Sequence, residues 1–467
     1  MNLSYLSSND TICAISTAQG VGAIAVVRLS GQKAIEIAND LFIPAAEREP
    51  LINIPTQTAQ FGRIYDNDEL LDEVVVTTFR QPHSYTGQDV VEISCHGSSF
   101  IQQRLIELLI SHGARMAQHG EFTFRAFMNG KMDLSQAEAV ADLIASNNIT
   151  SHQMALKQMR GGFSGKISEL RARLVHFASL IELELDFSEE DVEFVDRSEL
   201  LKLLQTIQTE INSLKSSFAL GNVMKQGIPV AIAGKPNVGK STLLNALLNE
   251  ERALVSEIPG TTRDAIEDTI NIEGTNFRFI DTAGLRHTHD TVESMGIGRT
   301  YDKMNQAWIV LYVFDINSTT EFEIDDAIAE IRTQLQDPDK PIIPIANKTD
   351  MLVEEPDSFQ RLVELDTLFV SAKRNENINL IVARLLDSVK LNNLSDQTIV
   401  YNLRHFEALD HATASIDAIY NGFESNVASD LIAIDIKQAL YYLGTITGEV
   451  SNEEILGNIF SRFCIGK

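Results

Sequence analysis

Hydrophobic positions change period along this chain. Within residues 1–131 they fall into short β-rich runs, AIAVVRLSG (23–31) and LDEVVVTTFR (71–80), broken by Gly and Pro turns; one stretch, SSFIQQRLIELLISHG, has helical spacing. Alternation at period two predicts half-buried strands and spacing of three and four predicts amphipathic helices, so this segment reads as a compact α+β domain. From Asp133 the spacing settles at three and four, in QAEAVADLIAS, LVHFASLIELELDF and LLKLLQTIQTEINSLKSSF, the pattern of a helical domain. Between Pro229 and Ser388 the apolar runs PVAIAG, FRFIDTAG, AWIVLYVFDI, PIIPIANK and TLFVSAK alternate with helical patterns, which predicts a doubly wound α/β domain. Helical spacing then returns in HFEALDHATASIDAIYNG and SDLIAIDIKQALYYLGTITG.

Helix on both sides of a complete α/β unit implies an insertion. The predicted architecture is multidomain: an N-terminal α+β domain (1–131), an all-α helical domain in two parts (132–221 and 389–467), and a P-loop α/β domain (222–388) inserted between them. No repeat and no low-complexity segment interrupts this order.

The chain has 467 residues, 44% of them hydrophobic, enough for each domain to bury a core, which excludes wholesale disorder. Its 38 Lys and Arg face 65 Asp and Glu, a net charge of −27. The four segments carry −5, −6, −11 and −5, so no basic arm is hidden by averaging. Counterion release needs clustered cations; a general nucleic-acid coat protein is therefore excluded, and any RNA role is local or shared with a partner. The three cysteines, Cys13, Cys95 and Cys464, are too scattered for a disulfide framework or a zinc site. Without a signal-peptide pattern or an apolar run of about 20 residues, the expectation is a cytoplasmic protein with no membrane association.

The strongest local signal is GKPNVGKS at 234–241, between the strand pattern VAIA and the helix pattern STLLNALLN. Gly234 and Gly239 let backbone N–H groups wrap phosphates, Lys240 brings a cation to them, and the Ser241 hydroxyl suits Mg²⁺. Asp281, Thr282, Ala283 and Gly284 follow a strand, where a carboxylate reaches Mg²⁺ through water and an N–H senses the terminal phosphate. Thr262, in GTTRD, is placed to complete the metal shell. Asn347, Lys348 and Asp350 follow PIIPIA; the Asp350 carboxylate accepts two donors that guanine has and adenine lacks. Ser371, Ala372 and Lys373 support the base from the other side. Five elements in this order predict a GTPase.

Catalytic assistance is less direct. Leu285 follows the glycine where Ras-like enzymes place a water-orienting glutamine. Asn237 offers a carbonyl that can hold a monovalent cation beside the phosphates, or else merely stabilises the loop. Glu293 and Arg286 lie downstream; Glu293 can orient water or sit on a solvated helix face. Two other patterns lead nowhere. G-x-G-x-x-A at 20–25 runs into a strand where a dinucleotide fold needs a helix, and Cys95-His96 has no second pair at zinc spacing.

The strings GKPNVGKS, GTTRD, DTAGLR and the terminal Cys464-Ile465-Gly466-Lys467 resemble the MnmE (TrmE) family of tRNA-modification GTPases, within the TrmE-Era-EngA-like superfamily. The likeness extends through DTICAISTAQGVGAIAVVRLSG, HSYTGQDVVEISCHG, GEFTFRAFMNGKMDLSQAEAVADLI and ELDFSEEDVEF. It implies an N-terminal domain that binds tetrahydrofolate and makes a homodimer. It also implies K⁺-dependent GTP hydrolysis coupled to G-domain dimerisation, and a heterotetramer with the FAD-dependent MnmG that adds a carboxymethylaminomethyl or aminomethyl group to the wobble uridine (U34) of certain tRNAs.

Carried over by residue, it places GTP on Asn237, Val238, Gly239, Lys240, Ser241 and Thr242, then on Ser256, Glu257, Ile258, Pro259, Gly260, Thr261 and Thr262, besides the motifs above. K⁺ falls to Asn237, Ser256, Ile258 and Thr261, Mg²⁺ to Ser241 and Thr262, and the orienting acid to Glu293. A 5-formyl or methylene tetrahydrofolate falls to Arg28, Glu92, Lys131 and Lys467, and Cys464 becomes a candidate in the modification chemistry. A lone C-terminal cysteine is equally an inert or packing residue. The chain departs from the family pattern at Ser256, Gln88 and Ser98, where Thr, Glu and Gly are usual. A ribosome-assembly switch GTPase is the rival reading, and a GTP-regulated scaffold without chemistry a third. The uniform acidity predicts that MnmG supplies most of the tRNA affinity.

Overall fold

The computed structural model describes residues 10–18, 20–45, 48–186, 197–254, 268–280, 301–352, 359–389, 398–425, 427–451, 453–461 and 463–466. The chain divides into two compact units, one of residues up to Ala145, Ala155–Asn212 and Glu407–Lys467, the other of Ser146–Met154 and Ser213–Phe406.

The first unit contains a seven-stranded sheet of β1 (Ile12–Ile15), β2 (Ile24–Ser30), β3 (Phe42–Pro44), β4 (Thr58–Asp66), β5 (Glu69–Phe79), β6 (Val90–His96) and β7 (Arg115–Met116), in the order β3-β4-β5-β6-β2-β1-β7. Alternation decides which side chains go where. Ala25, Val27 and Leu29 of β2 join Ile93 and the helix residues Leu105 and Leu109 in the main core. The intervening Arg28 therefore lies on the other face, where Ile12, Ala14, Ala117 and Phe122 form a smaller cluster beside Tyr85.

The helical part of this unit follows the three-and-four spacing. Helix Gly162–Asp186 buries Ile167, Leu170, Leu174, Phe177 and Ile181, and Ser429–Thr447 buries Ile432, Ile436, Ala439, Leu443 and Ile446; the two pack together. Phe460 of helix Glu453–Phe460 meets Phe124 edge-on at 5.2 Å. The C-terminal tail then returns to the first strand: His119 Nδ1 lies 2.9 Å from the Phe463 carbonyl, and the Ser16 hydroxyl donates to the Gly466 carbonyl at 3.2 Å. Gly466 has φ +99°, and a Cβ there would come within 2.2 Å of the Ile15 carbonyl, so a side chain has no room.

The second unit holds a six-stranded sheet of β8 (Ile228–Ala233), β9 (Asp268–Ile272), β10 (Thr275–Ile280), β11 (Ile309–Asp315), β12 (Ile342–Asn347) and β13 (Leu368–Phe369), in the order β13-β12-β11-β8-β10-β9. Every pairing is parallel except β9 with β10, a hairpin turning at Glu273 and Gly274, both with positive φ. The run IVLYVFD of β11 is buried almost throughout, as a central strand covered on both faces must be. Leu243 and Leu247 of helix Lys240–Leu254 cover one face, and Ile324 and Ile331 of helix Glu321–Gln334 the other. Val223, on helix Phe218–Gln226, packs against the first of these cores.

Candidate nucleotide site

Strand β8 lies between β10 and β11. Its two neighbours leave toward opposite sides, so a crevice opens beyond its C-terminal end, where sheets of this kind take ligands. The phosphate loop occupies that position, running from β8 into helix Lys240–Leu254. Three of its residues have positive φ: Gly234 (+144°), Asn237 (+63°) and Gly239 (+99°). A Cβ at Gly234 would meet the Val313 carbonyl at 2.0 Å, and one at Gly239 the Asn347 amide nitrogen at 2.3 Å. Glycine at these two positions lets β11 and β12 approach the loop from below.

Lys240 Nζ donates to the carbonyls of Gly234 (2.6 Å) and Lys235 (2.7 Å), bridging the loop where phosphates would sit. Burial lowers its pKa below the ordinary 10.5, which leaves an ammonium poorly solvated until an anion arrives. Lys235 is held outward by Glu323 at 2.7 Å. Glu323 is also the acid of a capping box with Thr320; the Lys235 ion pair and the Thr320 donors hold its carboxyl down to about 2.

Asn347, at the end of β12 and only 2% exposed, joins the two halves of the site. Its Nδ2 donates to the Val238 carbonyl at 2.8 Å, and its Oδ1 accepts the Ala372 N–H at 3.0 Å. Asp350 accepts the Ser371 hydroxyl at 2.7 Å. That hydrogen bond, more than the opposing effect of desolvation, keeps the Asp350 carboxyl below its ordinary 3.8, so it is an anionic acceptor at neutral pH. Lys348, at φ +67°, forms an ion pair with Asp315 at 2.7 Å. The residues 237–242, 347, 348, 350 and 371–373 are thus gathered at one edge of the sheet. Sequence reasoning gave no role to Asp315, nor any hint that Asn347 ties the phosphate loop to Ala372. Ser256, Glu257, Ile258, Pro259, Gly260, Thr261, Thr262, Asp281, Thr282, Ala283, Gly284, Glu293 and Lys467 lie outside the described residues.

The chain matches the family model described as the MnmE helical domain over residues 134–464 and that of the GTP-binding protein TrmE N-terminus over residues 11–131. It is 53% identical to a tRNA modification GTPase MnmE of Flavobacterium johnsoniae, with 98% of this chain and 100% of that one covered. The chain belongs to the MnmE family. Relatives of the same name from Christiangramia forsetii and Cytophaga hutchinsonii are 52% and 50% identical, each covering 98% of this chain and 99% and 98% of their own lengths.

In this MnmE-family chain the remaining candidate residues lie in the first unit. Arg28 and Glu92 are cross-strand partners of β2 and β6. Arg28 donates twice to Glu92 Oε1, at 2.9 and 2.8 Å, and its guanidinium lies 5.4 Å from the Tyr85 ring centre and 5.7 Å from that of Phe122. Both bonds use one carboxylate oxygen; the other, Oε2, accepts no hydrogen bond among the described residues. Lys131 Nζ donates to the Pro82 carbonyl at 2.9 Å, at the start of the loop that carries Tyr85. Cys464 is exposed, whereas burial pushes the thiols of Cys13 and Cys95 up to about 11. No described helix is long and apolar enough to cross a membrane.

Proposed function

We propose that this tRNA modification GTPase of the MnmE family uses GTP hydrolysis to drive G-domain dimerisation, and acts with the FAD-dependent MnmG to add a carboxymethylaminomethyl or aminomethyl group to U34 of certain tRNAs. The observation that carries this reading is the phosphate loop at the end of β8, joined through Asn347 to the guanine-reading segment. Nucleoside analysis of tRNA from cells lacking the protein tests it. Loss of the U34 group is expected; intact U34 modification beside immature ribosomal subunits would replace it with the ribosome-assembly reading.

Gly239 and Lys240 cradle the phosphates, Asp350 selects guanine, and Glu293 orients the attacking water. Oxygen donors from Asn237, Ser256, Ile258 and Thr261 suit K⁺, and the hydroxyls of Ser241 and Thr262 suit Mg²⁺. The exposed, left-handed Asn237 fits such a role, because its amide can reach out of the loop. Bound there, the cations supply positive charge to the phosphate oxygens. Exchanging K⁺ for Na⁺ should slow hydrolysis strongly in the wild type and not in Asn237→Ala; equal wild-type rates in both salts would remove K⁺ from the scheme.

In the N-terminal domain the open Oε2 of Glu92 suits the N–H donors of a pterin, while Arg28, Lys131 and Lys467 suit folate carboxylates. The folate supplies the one-carbon unit. Cys464 stands as a candidate nucleophile beside it, and wild-type U34 modification in Cys464→Ser, with GTPase retained, would end that role. The return of the chain to the first unit at Glu407–Lys467, after Ser213–Phe406 has built the second, supports a G domain inserted into the helical domain. A cytoplasmic homodimer in a heterotetramer with MnmG completes the reading, with MnmG gripping most of the tRNA because this chain carries −27.

A further inference from the structure

The geometry points to Asp315 and Asn317 as positioning residues for guanine, acting through Lys348; the inference rests on the reading of Asn347–Asp350 as the base site. Lysine has a Cβ, and left-handed backbone is uncommon for such residues, yet Lys348 sits at φ +67°. Besides the Met351 N–H, which donates to its carbonyl at 3.0 Å, two side chains hold it there. Its Nζ pairs with Asp315 Oδ2 at 2.7 Å, and its carbonyl accepts from Asn317 Nδ2 at 3.1 Å. Asn317 is itself fixed on Asp315 Oδ1, through its backbone N–H at 3.0 Å and its Nδ2 at 3.1 Å.

Asp315 is thus the hub of a strap from the end of β11 to the turn after β12, and in sheet register it lies opposite Asn347. Burial opposes its charge, but the donors from Lys348 and Asn317 outweigh burial and hold the carboxyl below its ordinary 3.8, so the hub is anionic at neutral pH. Immediately beyond the strapped residue the chain enters the turn Thr349–Met351. The angle at Lys348 therefore decides where Asp350 points. The strap presents the Asp350 carboxylate toward Ser371, whose hydroxyl it accepts at 2.7 Å, and so sets the acceptor that the base-site reading assigns to guanine.

The test is a double-mutant cycle on the full chain, read as the Kd of a fluorescent GDP. Loss of a charge-assisted hydrogen bond predicts about a tenfold weaker Kd in Asp315→Asn, with the effect on GTP turnover falling on KM rather than kcat. Lys348→Met should weaken binding similarly, and adding Asp315→Asn to it should change nothing further, because both act through one contact. Asn317→Ala, which leaves the ion pair in place, should give a smaller loss. Additive losses in the double variant, or an unchanged Kd in Asp315→Asn while Asp350→Asn binds weakly, would overturn the inference alone. Unchanged GDP affinity in Asp350→Asn would overturn the base-site reading and this inference with it.

Discussion

Asn347→Ala removes both ends of the tie between the phosphate loop and the segment after β13. The Val238 carbonyl and the Ala372 N–H lose their partner at a position only 2% exposed. A buried backbone group left unpaired costs about 1–3 kcal/mol. Two such groups bound the loss at roughly 6 kcal/mol, and relaxation of the loop brings the expectation to about 2–4 kcal/mol. In a unit of about 200 residues each kcal/mol moves the melting midpoint by about 2–4 °C, so the nucleotide unit should melt roughly 4–16 °C earlier. Differential scanning calorimetry of the nucleotide-free chain measures this directly. Asn347→Asp adds a control, since it keeps the acceptor for Ala372 and sets a carboxylate oxygen against the Val238 carbonyl; it should be at least as damaging. A shift under about 2 °C in both variants would show that the tie does not hold the two halves together.

Gly234→Ala forces a Cβ to within 2.0 Å of the Val313 carbonyl and should weaken GDP binding more than about tenfold, whereas Gly165→Ala, with nothing within 4 Å of its Cβ, should stabilise its helix by about 0.5–1 kcal/mol in thermal unfolding. Because burial lowers the Lys240 pKa, the unfolded chain holds that proton more tightly than the folded one. The resulting destabilisation is present below the lowered value and is relieved as pH rises toward 10.5, while GDP affinity falls over the same window as the charge is lost; affinity flat up to pH 10.5 by titration calorimetry would contradict this. Arg28→Met leaves the Glu92 carboxylate without the two donors that Arg28 supplies to its Oε1 and should abolish binding of 5-formyltetrahydrofolate in calorimetry, with binding intact if the pair is only structural.

Much of the nucleotide unit was legible because buried parallel strands read as unbroken apolar runs; AWIVLYVFDI and PIIPIANK locate β11 and β12. The hairpin partner β9, DTINI, escaped because only Ile270 and Ile272 face the core and five residues carry little periodicity. Strand β13 shrank from TLFV to two residues. In the site, motif spacing named Asn347 and Asp350 but not their geometry. The Asn347 tie depends on Gly239 lacking a side chain, and the Asp315 strap depends on a register between two strands. The same limit applies to Arg28 and Glu92. The resemblance offered them as two folate contacts, and only the pairing of β2 with β6 shows that they also bind each other.

The tail that closes against the first strand sets an order in time. Ser16 and Gly466 are 450 positions apart in the chain, and synthesis runs from the N-terminus at about 5–20 residues per second. The first strand therefore waits on the order of 20–90 s before the residues that dock beside it exist. For that interval the Ile15 carbonyl edge stands uncovered, and the N-terminal domain reaches its final form only after the intervening G domain has been made. A ribosome stalled anywhere in the last helix would hold a chain able to fold its nucleotide unit yet lacking the closure at Gly466.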